Sequence, residues 1–452
     1  MIIGGGPGGY EAALVAAQLG ARVTVVEEQG LGGAAVLTDV VPSKTLIASA
    51  EMMSLEDSAE ELGVGDGLRV DLGAVNRRVM SLARAQSADI HRRLEAEGVV
   101  VLVGRGRLAG ARQVVVHPAD GGPEGRLDAD VVLLATGARP RILPTARPDG
   151  ERILTWTQLY DLTSVPERLV VVGSGVTGAE FASAYDRLGA EVVLVSSRDR
   201  VLPGEDPDAA AVLEDVFARR GLQVLSRSRA ASVVRQGDGV RVELEDGRTV
   251  RGSHCLVAVG AVPNTQDLGL EQAGVAVGPG GHVTVDRVSR TTARGIYAAG
   301  DCTGVFALAS VAAMQGRIAM WHALGDAVTP LDLGTVAATV FTTPEIATVG
   351  WTQARIAAGD VRARTVTLPL ATNPRAKMQG VRDGFVKLFC GERSHEVLGG
   401  VVVAPRASEL IFAVALAVAG RLTVDEVAQT FSVYPSLSGS FVEAARQLRR
   451  TP

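Results

Sequence analysis

The chain has 452 residues with 45 basic and 50 acidic side chains, which gives a formal charge of −5. At roughly 150 residues per domain this length predicts about three domains, and the acidic balance excludes a nucleic-acid partner. The three cysteines and six histidines show neither a CxxC pair nor the spacing of a metal site, so we expect no bound metal.

The N-terminus and the longest apolar stretch of the chain indicate where in the cell the protein is expected. The longest aliphatic stretch, near residues 410–419, is too short to span a bilayer, which predicts no integral membrane segment. No signal peptide precedes the first motif, so we expect a cytoplasmic protein. Only three residues precede the first glycine, fewer than the roughly five of an ordinary strand, so we expect the natural chain to begin a few residues earlier.

Residues 2–28 predict a strand, a glycine turn, a helix and a second strand. Gly4, Gly6 and Gly9 form a GxGxxG pattern between strand and helix, which is typical of a dinucleotide pyrophosphate bound at a helix N-terminus. Glu27 ends the second strand, where a carboxylate accepts from ribose hydroxyls. A glycine-rich turn without a ligand is the alternative.

A helical stretch is predicted over residues 43–97, followed by strands near 99–103, 113–117 and 130–135. Residues 169–197 then repeat the strand–turn–helix–strand pattern, with Gly173, Gly175 and Gly178 as the second fingerprint. The repeat distance is too long for a solenoid, so the two segments predict two nucleotide sites on parallel sheets.

The second fingerprint lacks the acidic residue of the first. Its second strand ends at Ser196 and Ser197, followed by Arg198 and Arg200. Loss of the carboxylate removes repulsion against a 2′-phosphate, and arginines bind phosphate through two hydrogen bonds. This pattern predicts NADPH as the preferred cofactor, with NADH also accepted; solvated loop arginines are the alternative.

Residues 265–332 contain GIYAAGD, which ends at Asp301, and a helix is predicted from about residue 308. From residue 333 onward, valine-rich strands (TVAATVF, GFVKLFC, VLGGVVVA) and two helices near 407–419 and 423–430 predict an α+β region. The fold class is therefore α/β, with two Rossmann-like dinucleotide-binding domains and a C-terminal α+β domain.

These motifs together resemble the flavoprotein disulfide reductase family, most closely the lipoamide dehydrogenases. The matching pieces are GGGPGGYEAA, LGG…PSK, ATGARP, GSGVTGAEFA, AVGAVPN, GIYAAGDCTG and TTPEIATVG. The resemblance implies FAD in the first site, NAD(P)H in the second, and a homodimer whose active sites use both chains. It implies an FAD-binding domain at 1–149 and 265–332, an NAD(P)-binding domain at 150–264 and a dimerisation domain at 333–452.

The resemblance also implies residue roles. Lys44 would lie near flavin N5, and Glu180 would lie near the nicotinamide and pair with Lys44; a surface helix charge and a structural ion pair are the respective alternatives. Asp301 would bind the ribityl chain. The other residues implied in cofactor binding are Gly33, Thr136, Gly137 and Gly260.

Two departures from the family pattern carry the functional prediction. Where the family motif has two redox cysteines, this chain has Ala35 and Val40, so thiol–disulfide exchange at those positions is chemically impossible. Where the family has a catalytic histidine and its glutamate, this chain has Tyr434 and Gly439. A phenol with a pKa of about 10 is a poor general base at neutral pH.

Loss of both chemistries beside two retained fingerprints predicts a redirected enzyme. We expect an FAD-dependent NAD(P)H:quinone oxidoreductase that reduces small quinones such as menadione and is not a functional lipoamide dehydrogenase. Tyr434 of a partner chain would stack on or donate to the quinone, or merely fill space left by histidine. A soluble NAD(P) transhydrogenase and a non-catalytic redox-sensing flavoprotein are the alternatives.

Overall fold

The computed structural model describes residues 1–59, 63 and 67–449. The chain forms two compact units, each with one fingerprint. The first consists of Met1–Thr45, Asn76–Arg141 and Gly260–Asp332, and the second of Leu46–Val75, Ile142–Val259 and Leu333–Pro452. The predicted domain boundaries remain predictions.

The described residues of the first unit contain a seven-stranded sheet. Its strand order is Ile296–Ala298, Val132–Leu134, Ile2–Ile3, Thr24–Glu27, Val100–Gly110, Gln113–Pro118 and Gly125–Asp128. Ile2–Ile3 pairs in parallel with both of its neighbours, as the βαβ pattern predicts. Helix Pro7–Gln18 packs closely on helix Ala309–Ala323, where a Cβ at Gly316 would lie 2.1 Å from the Gly8 carbonyl oxygen.

The second unit contains a parallel sheet, which carries the second fingerprint, and an antiparallel C-terminal sheet. The parallel sheet has the order Gln223–Leu225, Glu191–Val195, Arg168–Val172, His254–Val257 and Ile153–Leu154. The antiparallel sheet has the order Ala337–Val340, Glu345–Gly350, Val397–Ala404, Phe385–Gly391 and Ala363–Pro369. Smaller sheets in the chain pair Ala230–Gln236, Gly239–Leu244 and Thr249–Gly252, and separately Ala138–Pro140 with Ala261–Pro263.

Helices of the C-terminal region pack on the antiparallel sheet. Val386 and Val402 of the sheet form one buried core with Ile411 and Phe441 of helices Ala407–Ala419 and Gly439–Arg449. This arrangement confirms the α+β prediction for the region. The remaining α-helices are Gly33–Leu37, Val40–Ala59, Leu72–Ala96, Val176–Arg187, Pro207–Arg220, Gln353–Ala357, Pro374–Met378 and Val424–Gln429.

Several elements differ from the sequence prediction. The helical stretch predicted over 43–97 contains two helices, Val40–Ala59 and Leu72–Ala96, and most of residues 60–66 lie outside the described part of the chain. Strands Glu345–Gly350 and Ala363–Pro369 and helix Gly439–Arg449 were not predicted. In the residues that the structure describes, no helix is both long and apolar enough to cross a membrane.

Candidate active site

The first fingerprint has the shape that a dinucleotide requires. Gly4 has a φ of +100°, and a Cβ there would lie 2.3 Å from the Ala135 carbonyl oxygen. A Cβ at Gly9 would lie 2.0 Å from the Gly4 carbonyl oxygen, whereas a Cβ at Gly6 would meet no described atom within 4 Å. The first and third glycines are therefore packed, and the middle glycine opens to space at the N-terminus of helix Pro7–Gln18, where a pyrophosphate fits.

Glu27 organises the loop beside this fingerprint. Its Oε2 accepts a hydrogen bond from Gly5 N at 2.5 Å, and its Oε1 accepts from Gln29 N at 2.7 Å and Gly30 N at 3.2 Å. Because each carboxylate oxygen has two lone pairs, Oε2 retains an acceptor position for a ribose hydroxyl. Gly33 lies against the fingerprint too, since its Cβ would be 2.8 Å from Gly6 Cα.

Thr136 and Gly137 are held by a residue that the sequence analysis did not single out. Asn264 donates from Nδ2 to the Thr136 carbonyl at 2.9 Å, and the Thr136 hydroxyl donates to the Asn264 carbonyl at 2.7 Å. Asn264 N also donates to the Gly137 carbonyl at 2.9 Å, and the Gly260 carbonyl accepts from Arg141 N at 2.9 Å. Asn264 ends the AVGAVPN motif, which is the signal that could have identified it.

Asp301 is a half-buried carboxylate at the start of a 3-10 turn, Asp301–Thr303. Burial raises its pKa, and nearby His282 opposes this rise. Its side chain makes no hydrogen bond or ion pair with any residue in the described part of the chain. A carboxylate of this kind is costly unless a donor arrives, and the hydroxyls of a ribityl chain are suitable donors.

The positions of the family's redox cysteines are occupied by apolar side chains. Ala35 lies in helix Gly33–Leu37, and Val40 begins helix Val40–Ala59, which also carries the half-buried Lys44. Glu180, the predicted partner of Lys44, belongs to the other unit, so their pairing stays a prediction.

The three cysteines of the chain lie elsewhere and are buried as free thiols. Burial raises the pKa of Cys302 to about 11 and also raises the pKa of Cys255 and of Cys390. These thiols are therefore neutral at physiological pH and behave as small apolar side chains.

The second fingerprint repeats the geometry of the first. Gly173 has a φ of +112°, and its Cβ would lie 2.2 Å from the Ala258 carbonyl oxygen. A Cβ at Gly178 would lie 1.8 Å from the Gly173 carbonyl oxygen, whereas a Cβ at Gly175 would meet no described atom within 4 Å. This site also fits a dinucleotide pyrophosphate, here at the N-terminus of helix Val176–Arg187.

The strand that follows this fingerprint ends in a buried serine. Ser196 is fully buried, and its hydroxyl lies 2.6 Å from the Ser174 hydroxyl. Ser197 and Arg198 are exposed beyond it, and the Arg198 guanidinium makes no hydrogen bond or ion pair with the residues that the structure describes. Arg200 lies 3.6 Å from Asp199. Arg198 is thus open to an incoming phosphate.

Glu180 is fixed from outside the nucleotide-binding sheet. It is 3% exposed, and its Oε1 accepts a hydrogen bond from Phe341 N at 2.9 Å. One helical turn further on, the Ser183 hydroxyl accepts from Thr343 N at 3.0 Å. These contacts show a structural role for Glu180. Phe341 could not be predicted as its partner, because a main-chain donor has no signature in the sequence.

Tyr434 lies on the surface of its own chain. It is 83% exposed, beside Phe431 at 103% and Val433 at 76%. Its hydroxyl has no hydrogen-bond partner among the described residues. Within this chain Tyr434 therefore fills no interior space, and three adjacent large apolar side chains lie exposed in one loop.

Comparisons with known proteins extend over nearly the whole chain. A family model described as pyridine nucleotide-disulphide oxidoreductase matches residues 1–316, and the model of that family's dimerisation domain matches residues 336–445. A Mycobacterium tuberculosis protein named NAD(P)H dehydrogenase (quinone) is 59% identical over 459 residues, covering 99% of this chain and 93% of that protein. A dihydrolipoyl dehydrogenase of Chlamydia muridarum is 31% identical, covering 100% of this chain and 97% of that protein. The crystal structure of LpdA from Mycobacterium tuberculosis superposes with a TM-score of 0.95 at 59% identity, over 99% of both chains.

Proposed function

Because the chain belongs to the pyridine nucleotide-disulphide oxidoreductase family, whose members use FAD and NAD(P)H, we propose that it is an NADPH-preferring quinone reductase without a redox-active disulfide. One observation carries the proposal. Ala35 and Val40 stand at both thiol positions of a chain in which both fingerprints keep the shape of a dinucleotide site. The chain keeps both glycine fingerprints proposed to bind the two cofactors. It lacks the two cysteines that reduce a disulfide at these positions in the family.

The first unit carries the residues that would hold FAD. The packed glycines Gly4 and Gly9 leave the helix N-terminus open to the pyrophosphate, Glu27 offers an acceptor to ribose, and Asp301 offers its carboxylate to the ribityl chain. When bound, FAD would supply the redox chemistry, which is hydride acceptance from NAD(P)H and electron transfer to an acceptor. Lys44 is proposed to place its ammonium beside the flavin.

The second unit carries the residues that would hold NADPH. Gly173 and Gly178 shape the turn, Gly175 leaves room for the pyrophosphate, and the exposed Arg198 is proposed to bind the 2′-phosphate. Glu180 is held in place by Phe341 N and is proposed to orient the nicotinamide end. A site that lacks a carboxylate at the strand end and offers a guanidinium favours NADPH over NADH.

The acceptor is proposed to be a small quinone such as menadione. The related Mycobacterium tuberculosis protein carries the name NAD(P)H dehydrogenase (quinone), which supports this class of substrate. Because both thiol positions carry apolar side chains, no disulfide at these positions would separate the flavin from a planar acceptor. Tyr434 of a second copy, exposed in each chain, is proposed to stack on the quinone or donate a hydrogen bond to it within a homodimer.

One assay tests the proposal directly. Purified FAD-loaded protein is mixed with NADPH and, in separate reactions, with menadione, an NAD⁺ analogue or oxidised lipoamide. We expect multiple turnovers with menadione only. Hydride transfer to the analogue alone would support a transhydrogenase, and a single slow reduction of the flavin would support a redox sensor. Turnover with lipoamide would contradict the proposal.

Menadione turnover is expected to be insensitive to thiol reagents. Incubation with N-ethylmaleimide at pH 7 should leave NADPH–menadione turnover unchanged, because alkylation requires an accessible thiolate and burial raises the pKa of all three cysteines. The raised pKa values keep the thiols protonated as the pH rises through the neutral range, so the insensitivity should persist at pH 8. Stoichiometric inactivation would show that a cysteine takes part and would overturn the disulfide-free route.

Arg198→Ala is expected to raise KM for NADPH by roughly 10- to 150-fold and leave KM for NADH unchanged, because a charge-assisted bond to the 2′-phosphate is worth about 1.5–3 kcal/mol. Steady-state kinetics with each nucleotide measures the effect. The matched control is Arg229→Ala, which removes an exposed arginine that lies 3.7 Å from Glu245. If Arg198→Ala changed KM for NADPH and KM for NADH equally, Arg198 would not be the ligand of the 2′-phosphate.

A further inference from the structure

Lys387 is a buried lysine in a chain that otherwise uses arginine, since only three of its 45 basic residues are lysines. It lies on strand Phe385–Gly391 and is 1% exposed. Its Nζ donates to Asp206 Oδ1 and Oδ2, both at 2.8 Å, and to Asp208 Oδ2 at 2.7 Å. A compact ammonium with three donors matches these three acceptors, whereas a planar guanidinium has a different geometry.

Asp206 and Asp208 lie at the end of the loop that follows the second strand of the second fingerprint. We call residues 196–206 the selectivity loop, because they begin at Ser196 and carry Arg198. Asp206 is the N-cap of helix Pro207–Arg220, and its Oδ1 accepts from Asp208 N at 3.0 Å and Ala209 N at 3.2 Å. The contact with Lys387 therefore fixes the last residue of the loop and the first turn of the helix together.

The selectivity loop is also held along its length, by Arg227 N donating to the Arg198 carbonyl and Val201 N donating to Glu214 Oε1, both at 2.7 Å, and by two contacts with the second fingerprint. At its start, the hydroxyls of Ser196 and Ser174 lie 2.6 Å apart, and Arg198 N donates to Ser196 Oγ at 3.1 Å. In its middle, Leu202 N donates to the Ser174 carbonyl at 2.9 Å. Leu202 is 2% exposed with a φ of +51°, a left-handed conformation that persists in a non-glycine residue only where its surroundings hold it.

We propose that Lys387 is a positioning residue for nucleotide selectivity, which acts by holding the end of the selectivity loop so that Arg198 meets the 2′-phosphate. This inference rests on the proposed NADPH preference. Lys387 lies in the segment matched by the dimerisation-domain model, whereas the loop lies in the segment matched by the pyridine nucleotide-disulphide oxidoreductase model. A buried ion pair is weak evidence of added stability, but it fixes the relative position of the groups it joins.

The consequence is specific for NADPH. Arg198 lies four residues from Leu202 and eight from Asp206, so release of Asp206 removes the fixed point at the end of a loop that holds a residue with positive φ. NAD⁺ lacks the 2′-phosphate and depends on the glycine turn, whereas the side-chain hydrogen bonds of Lys387 to described residues run to Asp206 and Asp208. Loss of the ion triad should therefore weaken NADP⁺ binding and leave NAD⁺ binding nearly unchanged.

The test is calorimetric titration of the FAD-loaded protein with NADP⁺, NAD⁺ and adenosine 2′,5′-bisphosphate, which requires no turnover. Lys387→Met is expected to weaken NADP⁺ and bisphosphate binding about tenfold, and NAD⁺ binding less than about twofold. Lys377→Met, which removes an exposed lysine, should match the wild type in all three titrations.

Two further variants keep the test decisive if Lys387→Met folds poorly. Lys387→Met with Asp206→Asn removes the buried unpaired carboxylate and retains the N-cap acceptor, so the protein should fold and still lose NADP⁺ affinity about tenfold. Asp208→Asn changes the exposed partner and should cost about threefold.

The outcomes separate the inference from the proposed function. A wild-type preference for NADP⁺ that survives in every folded variant overturns the role of Lys387 alone. Equal losses for NADP⁺ and NAD⁺ also overturn it, since they indicate general damage to the fold. A wild-type protein that binds both nucleotides equally overturns the NADPH preference and this inference together, and leaves quinone reduction to the turnover assay.

Discussion

Gly175→Val is expected to fold normally, retain FAD and bind NADPH about 5- to 150-fold more weakly, which corresponds to the roughly 1–3 kcal/mol of an overpacked contact. A Cβ at Gly175 would meet no described atom within 4 Å, so the turn has room for the first atom of a side chain. The same space is the predicted position of the pyrophosphate, so valine and cofactor compete. Stopped-flow reduction of the flavin at rising NADPH concentration measures the loss.

The neighbouring glycine provides the matched control. A Cβ at Gly178 would lie 1.8 Å from the Gly173 carbonyl oxygen, so Gly178→Val should lower the melting temperature as well as nucleotide binding. The corresponding change in the first fingerprint, Gly6→Val, should give a stable but colourless protein. Wild-type NADPH affinity in a folded Gly175→Val protein would refute the proposed pyrophosphate site.

The shape of both fingerprints could be predicted from the sequence because it is local. A strand, a glycine turn and a helix N-terminus follow one another within a dozen residues, and the packed and open glycines lie where the GxGxxG spacing predicts. The parallel pairing of both βαβ units follows from the same pattern. The C-terminal α+β class was predicted as well, from alternating valine-rich strands and helices.

Contacts between distant segments could not be predicted in this way. Lys387 and Asp206 are 181 residues apart, Phe341 and Glu180 are 161 apart, and Asn264 and Thr136 are 128 apart. Each pair is joined by tertiary packing, and one donor in these pairs is a main-chain N–H that any residue supplies. A single sequence therefore indicates which residues are candidates for binding or catalysis. It does not indicate which distant residues hold those candidates in place.

This distinction matters most at Glu180, where charge and anchoring can be separated. Glu180→Gln keeps an Oε1 that accepts from Phe341 N, so its stability should stay within about 1 kcal/mol of the wild type. It loses the negative charge, so flavin reduction by NADPH should slow by roughly 10- to 150-fold, the equivalent of about 1.5–3 kcal/mol for a charge-assisted interaction. Rapid-mixing absorbance at saturating NADPH measures this rate.

Glu180→Ala completes the comparison, because it removes the acceptor as well as the charge. It should reduce flavin as slowly as the Gln variant and also lose about 1–3 kcal/mol of unfolding free energy, since the Phe341 N–H then lacks this acceptor in a site where Glu180 itself is 3% exposed. Glu167→Gln, at an exposed glutamate of the same unit, is the control and should leave both quantities unchanged. If Glu180→Gln reduced its flavin at the wild-type rate while Glu180→Ala did not, the carboxylate would serve only to anchor helix Val176–Arg187, and its proposed part in orienting the nicotinamide would be wrong.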